Sequence, residues 1–276
     1  MQFKTVWAVY YSGCGSTRRL LRGMAEAAGE ALMLPVRELD YSRPEAREKS
    51  YCFTETDLVF WGSPTYAGRL PNVLLPFLRG NFTGGGAAAV AVVLYGNRSY
   101  DDALKELCEV LAGNGFLAAA GAALTAEHAF APALAHGRPN GEDRAAAAEF
   151  ARKTALTLRG REHPIPVTVP GREPIGAYYT PLGLDGEPAR FLKAKPKTDP
   201  EQCTRCGLCA AVCPMGSIPR GEPTECTGIC IKCQGCIREC PAGAKYFDDE
   251  AFLSHRAMLE QNYIRRRENE FYPPVE

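Results

Sequence analysis

The chain has 276 residues, enough for about two domains at roughly 150 residues each. With 46% hydrophobic and 23% charged residues, it has the apolar content to build buried cores, which excludes a chain disordered by composition. Lysine plus arginine (32) equals aspartate plus glutamate (32), so the balance argues against a general nucleic-acid or polyanion binder. The longest apolar runs, 87–95 and 116–124, are about half the ~20 residues of a membrane helix. Residues 1–10 show no basic segment leading into a long apolar core, so no secretory signal is expected. These features predict a soluble, cytoplasmic protein with no membrane span.

In chain order, 3–10 (FKTVWAVY) reads as a buried strand and 16–33 as a helix rich in Leu, Ala, Arg and Glu. A weak second strand is expected at 34–38. Further strands are expected at 57–62 (DLVFWG), 87–95 (AAAVAVVLY) and 116–124. Their near-continuous apolar character suits strands covered on both faces of a parallel sheet. Helical patterns lie at 70–78, 101–113 and 142–159. Strand–helix alternation of this kind predicts an open α/β sheet of five parallel strands with helices on both faces, spanning 1–160. Trp7 and Trp61 fall within strands and are expected in the core.

Residues 161–197 break the alternation. Pro164, Pro166, Pro170, Pro174, Pro181, Pro188 and Pro196 rule out a long helix and predict a semi-rigid linker or an extended connection along the surface. Ile175, Tyr178, Tyr179 and Phe191 suggest that this stretch packs. A compact α+β cysteine unit is expected at 198–247. A tail, 248–276, follows with a terminal helix to about residue 270, placing Phe252, Leu259 and Tyr263 on one face.

Nine of the twelve cysteines fall between Cys203 and Cys240. Without an export signal, metal ligation is a better reading than a disulfide framework. The unit contains a duplication: Cys203-x2-Cys206-x2-Cys209-x3-Cys213-Pro214 and Cys230-x2-Cys233-x2-Cys236-x3-Cys240-Pro241. Each copy is the run that holds iron–sulfur cubanes in bacterial ferredoxins. Three thiolates spaced by two residues wrap three corners of a cubane, and the fourth, before a proline, reaches the other cluster. One 4Fe–4S cluster is therefore assigned to Cys203, Cys206, Cys209 and Cys240. The other is assigned to Cys230, Cys233, Cys236 and Cys213. Zinc also accepts thiolates but does not need this crossed pattern. Cys226 has no place in the count of eight.

The first strand runs into Tyr11-Ser12-Gly13-Cys14-Gly15-Ser16-Thr17 and then a helix, a setting in which glycines, hydroxyls and free helical N–H groups favour phosphate. The loop lacks the lysine of a nucleotide-hydrolysing phosphate loop and the spacing of a dinucleotide fingerprint. Two more loops, 62–71 (GSPTYAGRLP) and 95–100 (YGNRSY), should emerge at the same carboxyl edge, where open α/β sheets bind ligands. Together the three loops resemble the flavodoxin family over 1–160. With the cysteine unit, the whole chain resembles the flavodoxin–ferredoxin fusion proteins of the EFR type.

The resemblance implies a flavodoxin-like fold joined to a bacterial ferredoxin-like domain, with FMN as cofactor. Ser12, Gly13, Cys14, Gly15, Ser16 and Thr17 would hold the FMN phosphate. Ser63, Pro64, Thr65, Tyr66, Ala67 and Gly68 would border the ring on one side, and Tyr95, Gly96, Asn97, Arg98 and Tyr100 on the other. It also implies a loop peptide near Gly68 that turns over on reduction. Two positions depart from the family: Cys14 stands where Thr is usual and Ser16 where Asn is usual. A thiol is the weaker donor, so affinity is expected to fall. The expected function is electron transfer between FMN and two 4Fe–4S clusters, serving redox protein partners. The alternatives are an FMN-dependent reductase of a small quinone or nitro compound, with His128 or Arg69 orienting substrate, and a binding module that has lost its flavin.

Overall fold

The structure is a computed structural model that describes residues 1–275. Five parallel strands form the body: β1 (Thr5–Tyr10), β2 (Val36–Asp40), β3 (Asp57–Pro64), β4 (Ala88–Tyr95) and β5 (Leu117–Thr125). Their order is β2-β1-β3-β4-β5, the doubly wound order of flavodoxin-like sheets. Every residue of β4 is buried, as the central strand of a sheet covered on both faces must be. On one face, α1 (Ser16–Leu32) and α4 (Gly141–Arg159) pack against each other and the sheet, joining Leu20, Leu21 and Met24 to Ala147, Ala151 and Leu158. The opposite face is aromatic. Trp61 stands edge-on to Phe82 at 4.5 Å, and its indole N–H donates to Tyr41 Oη at 3.1 Å. The short α2 (Leu75–Gly80) and α3 (Ala103–Gly113) close that side. Trp7 is half-buried, edge-on to Phe53.

The sheet has six strands rather than the expected five. The tail contributes β6 (Glu270–Tyr272), antiparallel to β5 with Tyr272 opposite Gly121. The terminal helix is correspondingly shorter than expected. α7 (Glu250–Asn262) is capped by Asp249, which accepts from Phe252 N at 2.9 Å, and ends before Tyr263. The reason lies outside the helix. Asn97 donates to the carbonyls of Tyr263 (2.6 Å) and Arg265 (2.9 Å), and its Oδ1 accepts from Arg267 N at 3.1 Å. These bonds hold 263–267 in an extended course that local periodicity does not reveal.

The proline-rich segment runs as a strap over the sheet domain. Val167 N donates to Ala118 O (2.8 Å) and Tyr179 N to Ala67 O (2.9 Å). Between them Asp102, buried at the start of α3, accepts from Arg172 N and Gly176 N, both at 2.9 Å. Burial alone would raise the Asp102 carboxyl, but these N–H groups and the Arg172 guanidinium bring it below its ordinary value. The cysteine unit contains α5 (Leu208–Val212) and α6 (Gly235–Arg238), with a two-residue antiparallel ribbon pairing Lys197–Thr198 and Lys245–Tyr246. Among the described residues no helix is long and apolar enough to cross a membrane.

The tail is locked to the sheet by a buried ion pair. Arg138 meets Asp143 through two bonds of 2.6 and 2.9 Å, both side chains only 5% exposed. Asn269 bridges the pair, donating to Asp143 (2.8 Å) and accepting from Arg138 (3.1 Å) and Thr125 N (3.0 Å). Burial pushes the Asp143 carboxyl up, yet Arg138, Asn140 N and Asn269 together hold it down at about 2. A depressed carboxylate stabilises the fold above its unfolded value near 4, and that contribution fades as pH falls toward 2. Asp143→Asn is therefore expected to cost about 3 kcal/mol by anaerobic urea unfolding at pH 7. The difference from wild type should stay flat between pH 5 and 8, where the carboxylate is ionised in both states.

Candidate functional site

The duplicated cysteine runs fold alike, position by position. Arg205 (φ 54°) and Lys232 (φ 56°) occupy equivalent places in the two copies, as do Gly207 (φ 76°) and Gln234 (φ 64°). Left-handed backbone at non-glycine residues is costly and persists where the surroundings impose it. Here it curls each Cys-x2-Cys-x2-Cys turn so that its thiols face inward. Two cavities result. Cys203, Cys206, Cys209 and Cys240 line the first. Cys213, Cys230, Cys233 and Cys236 line the second, together with Cys226. Each cavity thus has one lining cysteine from the other copy, Cys240 in the first and Cys213 in the second. Among the described residues no three metal-ligating side chains converge on a single-ion position.

The surroundings suit buried sulfur. Cys213 Sγ accepts from Ser217 N (3.3 Å) and Cys230 Sγ from Lys232 N (3.4 Å), the kind of N–H···S bond that tunes cluster potentials. Lys245, 4% exposed, lines the first cavity and places its ammonium on Thr198 Oγ1 and Pro223 O. Burial pushes the Cys233 and Cys236 thiols up, Cys236 to about 12. Thiolates form at such positions when a cation shares their charge.

The second cysteine run lies directly on the loop that follows β1. A Cβ on Gly13 would sit 2.7 Å from Cys233 Cβ and 3.0 Å from Tyr66 Oη. One on Gly235 would collide with the carbonyl oxygen of Gly13. The contact therefore needs glycine on both sides. Two arginines fasten it. Arg47 donates to Ser42 O (2.8 Å) and Tyr41 O (3.1 Å) on the sheet side and to Pro214 O (2.5 Å) on the other. Arg238 reaches back to Glu127 (3.0 Å), His128 O (3.0 Å) and Ala129 O (3.2 Å). Neither arginine stands in a motif that marks it for this role. The only signal in the sequence is the position of Arg238 inside the second cysteine run.

The loops at the carboxyl edge divide into two kinds. In the first, Ser12 N donates to Ser42 Oγ (2.8 Å), Ser12 Oγ accepts from Arg18 N (3.2 Å), and buried Ser16 and Thr17 begin α1 after left-handed Gly15. Cys14 is half-buried beside Ser16. After β3, where Ser63 is buried and Pro64 ends the strand, Tyr66 and Arg69 exchange backbone bonds of 2.9 and 3.1 Å. Ala67 and Gly68 turn between them with positive φ, as a type I′ turn demands. The Asp101 carboxylate fills the place of any Cβ on Gly68.

Three buried side-chain hydroxyls among the described residues lack a hydrogen-bond partner: Tyr11 Oη, Thr65 Oγ1 and Tyr179 Oη. All three belong to this edge, after β1, after β3 and on the strap at Ala67. Tyr11 Oη is an electrostatic neighbour of Tyr66 without hydrogen-bond geometry, and burial raises both phenols well above their ordinary values. Orphaned hydroxyls beside a phosphate-type loop fit a polar ligand bearing acceptors.

The third loop is committed elsewhere. Tyr95 donates to Glu268 O (3.3 Å), Asn97 holds the tail, and Tyr100 meets Glu270 (2.7 Å) and Tyr272 (2.9 Å). Arg98 pairs with Asp101 and lies 4.1 Å over the Tyr179 ring. Gly96 faces the His128 ring. His128 accepts from Ala131 N (3.2 Å) and stands edge-on to Phe130, and burial first, then His255 and Arg238, lowers it to about 3. These contacts engage the ring internally, against the expectation that it orients substrate. Arg69 is likewise occupied: it pairs with buried Glu106 (2.8 Å) and donates to Gly176 O.

Known proteins resemble separate parts of the chain. Residues 196–218 match the 4Fe–4S binding domain family. Over 84 residues the chain is 34% identical to one of the subunits of the selenate reductase of Mesobacillus selenatarsenatis. That alignment covers 27% of this chain and 27% of the relative, so the chain matches about a quarter of that relative's length. Among solved structures, a flavodoxin from the domain Archaea superposes with TM-score 0.40 at 13% identity, covering 57% of this chain and 99% of its own. A short-chain flavodoxin associated with a non-canonical PDU bacterial microcompartment gives 0.38 at 13% identity, covering 58% and 100%. The NAD(P)H:quinone oxidoreductase of Methanothermobacter marburgensis gives 0.35 at 12% identity, covering 58% and 100%.

Removing both fastening arginines, Arg47→Ala with Arg238→Ala, is expected to weaken the contact by about 2 kcal/mol or more. Amide exchange in 11–17 and 230–238 should accelerate at least tenfold, while exchange in β4 stays unchanged.

Proposed function

We propose that this chain is an electron carrier that holds two 4Fe–4S clusters and one FMN. Cys203, Cys206, Cys209 and Cys240 would hold the first cluster, and Cys213, Cys230, Cys233 and Cys236 the second. The phosphate of FMN would lie on Ser12–Thr17, with Ser63–Gly68 beside the ring and Thr65 and Tyr11 offering it their free hydroxyls. Bound there, FMN supplies exchange of one or two electrons where clusters exchange one.

The observation that carries this reading is the contact of Cys233 with Gly13. A cluster ligand touching the phosphate loop would put the second cluster beside the bound FMN. Burial of Cys209 and Cys233 limits water at the sulfurs, and the N–H bonds to Cys213 and Cys230 favour their thiolates.

Carriage is favoured over reduction of a small substrate by what covers the edge. The strap bonds to Ala67 and Leu70, and the tail bonds to Tyr95, Asn97 and Tyr100. Arg69 and His128, the two side chains placed to orient a substrate, are held in internal contacts. Redox proteins would then be the partners, exchanging electrons through the cysteine unit.

Protein purified under anaerobic conditions is expected to carry about eight irons, four for each cluster, and about one FMN per chain. Iron without extractable flavin would refute the FMN half of the reading, and flavin without iron the cluster half. Cys14→Thr, which replaces a weak donor by a hydroxyl, should tighten FMN about fivefold in a fluorescence-quenching titration of the flavin-stripped protein.

A further inference from the structure

The second cavity holds one thiol more than a cubane needs. Cys226 lines it beside Cys213, Cys230, Cys233 and Cys236, whereas the first cavity has only its four. The placement is built rather than incidental. Ser217 N donates to Cys213 Sγ (3.3 Å), Ser217 O accepts from Thr227 N (2.9 Å), and Ser217 Oγ donates to Ile229 O (2.6 Å). One serine thus clamps 226–229 onto the segment that carries Cys213. Lys195 secures the same loop from outside through Thr227 O at 3.0 Å. Cys226 is half-buried, packs with Cys213 and Cys236 against the cluster of Cys209, Ala210 and Ile218, and has Cys230 and Cys213 within electrostatic reach. Cys233 lines the cavity on the side pressed against Gly13.

We propose that Cys226 is a reserve ligand of the second cluster, able to take over the iron of Cys213 or of Cys230. The inference rests on the two-cluster reading above. The exchange balances without electron transfer. Cys226 releases its thiol proton and bonds to iron, the bond from iron to Cys213 or Cys230 breaks, and the departing thiolate takes up a proton. A cluster with such a spare survives the loss or oxidation of one ligand, a protection the first cavity lacks.

The test counts iron in anaerobically purified full-length variants and records the electron paramagnetic resonance of each reduced cluster. Wild type and Cys226→Ser should both hold about eight irons. Cys213→Ala and Cys230→Ala should each keep about eight, with a shifted signal from the second cluster alone. Adding Cys226→Ala to either should drop the count to about four, as should Cys233→Ala and Cys203→Ala. The signal of the first cluster serves as the internal control of folding in every variant altered in the second cavity. Counts of about four in both Cys213→Ala and Cys230→Ala, with Cys226 present and the first-cluster signal intact, would overturn the proposal. A wild type with about four irons would overturn the two-cluster reading itself, and the proposal with it.

Discussion

The architecture depends on one backbone contact, the meeting of Gly13 with the turn from Cys233 to Gly235. Neither side tolerates a Cβ there. Sequence features that look unrelated serve the same approach: the glycine-rich turn after β1 and the x2 spacing of the second cysteine run. Arg47 and Arg238 hold it from opposite sides by bonding to carbonyls across the seam. Hydrogen bonds from a guanidinium to carbonyls fix geometry more tightly than apolar packing does, because they weaken steeply with angle and distance. The relative position of the two units is therefore set by directed bonds together with the apolar cluster of Ala131, Leu134, Met258 and Leu259.

Much of this could be read in advance, for identifiable reasons. β4 and β5 announce themselves by continuous small apolar residues, and α1 by its periodicity. The two cysteine copies carry their own geometry, since a thiolate turn of fixed spacing closes in only a few ways. What could not be read is long-range. Asn97 looked like a loop residue facing a ligand, yet its amide terminates the last helix by bonding 263–267 from a distant part of the chain. Tyr100 was an aromatic on the right loop, but its hydroxyl meets Glu270 and Tyr272. Asp102 and Glu106 gave no motif at all. They are buried because the strap and Arg69 supply N–H groups that exist only once the fold has formed.

The strap shows how prolines can make order instead of slack. A segment with so few backbone donors cannot form a helix or an inner strand, so it lies in an extended course and uses the N–H groups it retains at chosen points. Val167, Arg172, Gly176 and Tyr179 each place one on the sheet domain. The same property keeps 161–197 from competing with the sheet for hydrogen bonds.

Because β6 follows the cysteine unit in the chain, that unit is spliced into the sheet domain rather than appended to it. The polypeptide leaves the domain after the strap and returns to it at 263–272, so the unit is moored by both its ends. A lobe hung on a single tether samples many orientations; one moored twice keeps to a small arc. On the proposed reading, electrons crossing Gly13 would not have to wait for the lobe to swing back, and a ribosome must pass the whole unit before it can supply the second anchor.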